Sequence, residues 1–135
     1  MFQQNFLSSL LATHIAYKHL KENGLLILTG AAHAFNNVDP SMATYVLTKN
    51  MIHNLHLNVF RDPKYLGKNI VTILPTIIDT PANWTAMPKQ NKDDWIPPEK
   101  IAEQLWMWVS SENRPKNGSF VQLNYDHESL VTKIL

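Results

Sequence analysis

Apolar residues recur at helical spacing in three parts of this chain and run together in shorter blocks between them. Phe6, Leu7, Leu10, Leu11, Ala16, Tyr17 and Leu20 predict an amphipathic helix over residues 2–22, with Lys21 in its last turn and Asn23-Gly24 to end it. Tyr45, Lys49, Ile52, His53, His56 and Val59 fall on or near one side of a second helix, from about Met42 to Phe60. Asp39-Pro40-Ser41 reads as the turn before it, with Ser41 as its N-cap. Ile101, Leu105 and Val109 make the inner stripe of a third helix, opened by Pro98-Glu99 and flanked by Trp106 and Trp108. Leu25–Thr29 and residues 69–74 are apolar blocks of the kind that form buried parallel strands, and residues 119–125 alternate as a last strand.

Residues 79–98 break this pattern. They are rich in Pro, Asn, Lys and Asp, carry Trp84, Met87 and Trp95 in surroundings that read as exposed, and show no periodicity of their own. Two uses stay open for the tryptophans: a lid over a planar ligand, or pins that hold the loop to the core.

Composition narrows the classes. A chain of 135 residues, 44% hydrophobic and 17% charged, suffices for one domain with a core, here 1–135. The net charge is +1 and the cationic residues are scattered, which argues against nucleic acid as a partner. The absence of cysteine removes disulfides, thiolate metal sites and a cysteine nucleophile. The first residues lack a cationic signal-peptide start, and no run approaches the roughly twenty apolar residues of a membrane span, so a cytoplasmic protein without membrane contact is expected. His14 and His19 read as surface residues. His53 and His56 stand at i and i+3 without a third ligand, so no metal site is expected.

The candidate chemistry lies in Tyr45 and Lys49. At i and i+4 they share a helical face, and an ammonium beside a phenol is expected to lower the phenol pKa towards useful general-acid values. A half-buried tyrosine beside a snorkelling lysine gives the same spacing without any chemistry.

The wider context settles on one family. A strand ending in Thr29-Gly30-Ala31-Ala32, a Tyr-x-x-x-Lys helix, a second strand and then Pro75-Thr76-Ile77-Ile78-Asp79-Thr80 follow the order of the second half of short-chain dehydrogenases and reductases. Residues 18–26, 74–83 and 113–119 resemble the dihydropteridine reductase branch of that family, and the resemblance covers nearly the whole chain.

The resemblance implies an α/β fold: the C-terminal part of a Rossmann-type doubly wound parallel sheet, with three strands, three main helices and the N-terminal cofactor-binding half missing. Its four glycines, Gly24, Gly30, Gly67 and Gly118, cannot make the glycine-rich pyrophosphate loop that opens such domains. It further implies NADH or NADPH as cofactor and a quinonoid dihydropterin as substrate. Tyr45 would donate the proton, Lys49 would hold the nicotinamide ribose, and Asn5 would match the active-site asparagine. Pro75, Ile78 and Thr80 would line the nicotinamide, with Thr80 on its carboxamide. Ala32, thirteen positions before Tyr45, stands where most of the family carries a catalytic serine, and with Trp84 and Trp95 it would face the substrate. The family pairs subunits through a four-helix bundle, which helices 2–22 and 42–60 would supply to a homodimer or to a full-length subunit. The alternative is a catalytically inactive truncated form that acts as such a partner.

Overall fold

Strands β1 (Leu25–Thr29), β2 (Asn69–Pro75) and β3 (Ser119–Tyr125) form where the apolar blocks place them, in a computed structural model that describes residues 1–36, 40–110 and 113–135. They pair in parallel, β1 with β2 from Leu25 opposite Asn69 and β2 with β3 from Val71 opposite Ser119. The helices are α1 (Ser8–His19), α2 (Ala32–Asn36), α3 (Ala43–Arg61), α4 (Pro81–Ala86) and α5 (Pro98–Val109).

Alternation along the strands sorts the core into two layers. Leu26, Leu28 and Ile70 pack with Ala16, Ile52 and Val59 of α1 and α3 on one face. Val71, Ile73, Val121 and Leu123 pack with Ile101 and Trp108 of α5 on the other. Helices on both faces explain why β2 is buried along nearly all its length. Among the described residues nothing pairs with the second edge of β1.

A fourth strand, β4 (Leu130–Ile134), adds to the three expected and runs antiparallel to β3. It follows from the turn before it: His127 takes a left-handed φ of 73°, and Asp126 Oδ1 accepts from Ser129 N at 2.8 Å and Ser129 Oγ at 3.1 Å, folding the chain back on itself.

The helix expected over 2–22 is shorter and less amphipathic. A π-helical turn spans Gln3–Leu7, α1 ends at His19, and Leu7, Leu10, Leu11 and Tyr17 are exposed while Thr13 and Ala16 face the core. At the start of α3, Ser41 lies in a 3-10 turn, Pro40–Met42, and Met42 takes the N-cap position; Asp39 lies outside the described residues. In α5 the inner stripe is Ile101, Leu105 and Trp108; Val109 is exposed because the helix ends there and Arg114 caps it, donating to Trp108 O and Val109 O. The same guanidinium donates to Asn23 O, and Asn117 Oδ1 accepts from Ile70 N, so the 113–119 segment serves as a clamp between α5 and the strands.

Candidate active site

Helix α3 crosses the face of the sheet with Thr48, Lys49, Ile52, His53, His56 and Val59 turned inward, as the spacing predicts. Lys49 is 9% exposed, and its Nζ donates to Thr29 O, at the end of β1, at 3.0 Å. The same Nζ lies 5.8 Å from the centre of the Tyr45 ring, one helical turn earlier. Spacing alone leads one to expect a phenol pulled down by its neighbouring cation, but the direction is the reverse. Burial pushes the Tyr45 phenol above its ordinary value and the Lys49 ammonium below its own. The lysine is turned to a backbone carbonyl, and both groups lose solvent.

Asn5 reaches the same helix from the π-helical turn, whose wider winding marks many functional sites. Its Nδ2 donates to Thr48 Oγ1 at 3.2 Å, and Thr48 Oγ1 donates to Tyr45 O at 2.8 Å. Asn5, Gln4, Ser8, Thr29 and Lys49 border one cavity of about 270 Å³ between α1 and the free edge of β1. The structure thus brings Asn5 and Lys49 together, with Tyr45 one turn away.

Ala32 begins α2, directly after the turn that leaves β1, and its neighbour Ala31 donates its N–H to His53 Nε2 at 3.4 Å. Burial, then Lys49 and His56, push the His53 imidazole down to about 4. His56 is fully buried: its Nε2 donates to Gly118 O at 3.0 Å, which leaves Nδ1 to accept from Thr72 Oγ1 at 2.8 Å. Burial lowers its pKa as well, partly offset by the Gly118 bond. No cluster of three metal-ligating side chains occurs among the described residues. Sequence reasoning weighed these histidines only as ligands, and their place on the inner stripe beside Lys49 was the signal for their structural role.

The remaining candidates lie over the end of β2. Pro75 is its last residue, and Ile78 bridges to Ile96. Thr80 Oγ1 accepts from Asn83 N and caps α4, a short helix in the loop expected to lack regular structure. The two tryptophans part company. Trp95 is 3% exposed, drawn in beside the Ile78–Ile96 bridge, so its exposed appearance in the sequence is corrected. Its indole N–H is buried without a hydrogen-bond partner among the described residues, and it borders a separate cavity of about 560 Å³ with Asn124 and Tyr125. Trp84 stays exposed, donates to Asp79 Oδ1 at 2.5 Å, and shares with Trp95 the Lys92 ammonium, 5.2 and 5.7 Å from the two ring centres.

No protein-family model matches the chain. A dihydropteridine reductase of Dictyostelium discoideum is 36% identical to it over 135 residues, covering 98% of this chain and 57% of that protein. The likeness to that dihydropteridine reductase runs along nearly the whole of this chain. It spans 57% of that relative's length and about half the length of its structural neighbours. Among solved structures, a short-chain dehydrogenase from Burkholderia cenocepacia in complex with NADP superposes with a TM-score of 0.70 at 22% identity, covering 91% of this chain and 52% of the other. An angucycline C-6 ketoreductase with bound NADP gives 0.69 at 18%, covering 90% and 50%. An alcohol dehydrogenase from the archaeon Thermococcus sibiricus, complexed with 5-hydroxy-NADP, gives 0.69 at 17%, covering 95% and 53%. The fold is therefore that of part of a short-chain dehydrogenase. No helix among the described residues is long and apolar enough to cross a membrane.

Proposed function

We propose that this chain carries the proton-donating part of an NAD(P)H-dependent reductase of quinonoid dihydropterin. One observation carries the reading: Lys49 and Asn5 border one cavity at the end of β1, with the Tyr45 ring 5.8 Å from Lys49 Nζ, in a chain 36% identical to a dihydropteridine reductase. Reduction of the quinonoid ring consumes one hydride and one proton. Bound NADH or NADPH supplies the hydride. Tyr45 supplies the proton from its phenol, and burial that raises its pKa keeps it in the protonated, donating form at neutral pH.

The residues present fit the nicotinamide end of such a cofactor. Lys49 makes one hydrogen bond among the described residues and has two further N–H groups, beside a cavity lined by the polar side chains of Gln4, Asn5 and Ser8, a donor and acceptor set suited to ribose hydroxyls. Thr80 keeps its hydroxyl proton free to donate while Oγ1 caps α4, and is assigned to the carboxamide, with Pro75 and Ile78 beside it. The pyrophosphate end has no glycine-rich loop in this sequence, so these residues account for half of the cofactor site.

Ala32 narrows the substrate. Without a hydroxyl there, a ketone oxygen loses a hydrogen-bond donor of a kind worth about 2.7–4 kcal/mol in a transition state. A conjugated pterin ring, covered by Trp84, depends on it less. Turnover of quinonoid dihydropterin, compared with that of aliphatic ketones, tests this reading, and faster ketone reduction would remove it.

A second reading rests on the exposed apolar side chains of α1 and α3. Leu11 is 57% exposed and Leu47 63%, with Leu7, Leu10, Ile15 and Met51 also exposed. Such a face suits a four-helix pairing with a second subunit. Association with a full-length subunit without turnover of its own would favour this reading over the first.

A further inference from the structure

The turn that follows β1 is gripped from α3 by two side chains one helical turn apart. Lys49 Nζ donates to Thr29 O at 3.0 Å, and His53 Nε2 accepts from Ala31 N at 3.4 Å. A third bond, Gly30 N to Ile73 O at 2.9 Å, ties the turn to β2. A backbone N–H can only donate, so His53 Nε2 is bare and its proton sits on Nδ1.

The ring has little freedom. It lies against the bare Cα of Gly30, where an added Cβ would run into His53 Nε2 and Cδ2. Phe120 meets it edge-on with centroids 5.8 Å apart, and Phe35 of α2 meets it at 5.5 Å. His53 therefore touches both the turn and the helix that Ala32 opens. With no hydroxyl on Ala32, alignment of a substrate against this wall depends on where the backbone is held.

We propose that His53 is a positioning residue: by accepting the Ala31 N–H on Nε2 it fixes the Gly30–Ala32 turn as the substrate-facing wall of the cleft. The last clause rests on the reductase reading above, whereas the hydrogen bond and the tautomer do not. His53 acts through the backbone, just as Lys49 holds Thr29, so α3 both bears the proposed proton donor and holds the turn.

The test has two arms. In the isotopically labelled chain near neutral pH, imidazole nitrogen spectra are expected to show His53 protonated on Nδ1 alone. Ala31 amide exchange is expected to speed up in His53→Leu and to return towards the native rate in His53→Gln, whose carboxamide oxygen can accept the same bond. In the full-length protein, His53→Leu is expected to raise the pterin KM roughly tenfold or more with the NADH KM unchanged, and His53→Gln to recover most of it. A proton on Nε2, or Ala31 exchange indifferent to the substitution, overturns the proposal. Equal pterin KM values in His53→Leu and the unaltered protein overturn the substrate wall. Absence of pterin turnover in the unaltered protein counts against the reductase reading, and the spectra then decide the role of His53.

Discussion

Lys49 Nζ is bonded to Thr29 O at 3.0 Å, so the buried cation of α3 is anchored on the last residue of β1. That contact fixes the distance between the helix bearing Tyr45 and the sheet end where the proposed cleft opens. Burial governs the pKa of both groups, raising that of Tyr45 and lowering that of Lys49.

Lys49→Met should separate folding from activity. The apolar chain fills much the same space and removes one bond to Thr29 O, which stands at the exposed end of β1, at about 0.5–1.5 kcal/mol. The folded protein is expected to persist with a lowered melting temperature, while pterin turnover falls roughly a hundredfold or more through lost cofactor alignment. Circular dichroism melts beside steady-state kinetics check both parts, and native turnover in the variant would show that Lys49 is only a strut.

Stability should fall on mild acidification. His53 is held at about 4 in the folded chain against an ordinary 6.5, so between those values the unfolded chain binds the extra proton and the folded one does not. Its contribution is intact above about 6.5, is lost progressively as pH drops, and changes no further below about 4. His56, also lowered by burial, acts in the same sense. Urea midpoints measured across this window are expected to decline, with a shallower decline in His53→Leu; equal slopes would mean that His53 titrates normally.

Most of the architecture is legible in the sequence because burial leaves a periodic mark. The three parallel strands are strongly apolar and the inward residues of α3 keep helical spacing, and they appear where the pattern puts them. β4 escaped because its existence depends on the Asp126–Ser129 turn and a partner strand instead of on its own short run. Trp95 was misplaced because the Ile78–Ile96 bridge that buries it joins residues eighteen apart, with no trace in local periodicity. In the site, the Tyr45 and Lys49 spacing was readable, but the direction of their pKa shifts depends on desolvation, which only the packed fold reveals.

The apolar face of α1 and α3 should drive association. Leu11→Glu together with Leu47→Glu places charge on two side chains that are more than half exposed, so the fold is expected to survive while any self-association is reduced. Sedimentation of the two forms at matched concentration checks this, and an unchanged oligomeric state would locate the contact elsewhere.

The most direct measurement is the rate of quinonoid dihydropterin reduction by the full-length protein with Tyr45 intact and with Tyr45→Phe. Loss of the phenolic proton while the ring stays in place is expected to lower kcat roughly a hundredfold or more, with NADH affinity little changed, because Lys49 keeps its bond to Thr29. Retained turnover in Tyr45→Phe would contradict the assignment of Tyr45 as the proton donor, and with it the account of this helix as the catalytic element of the chain.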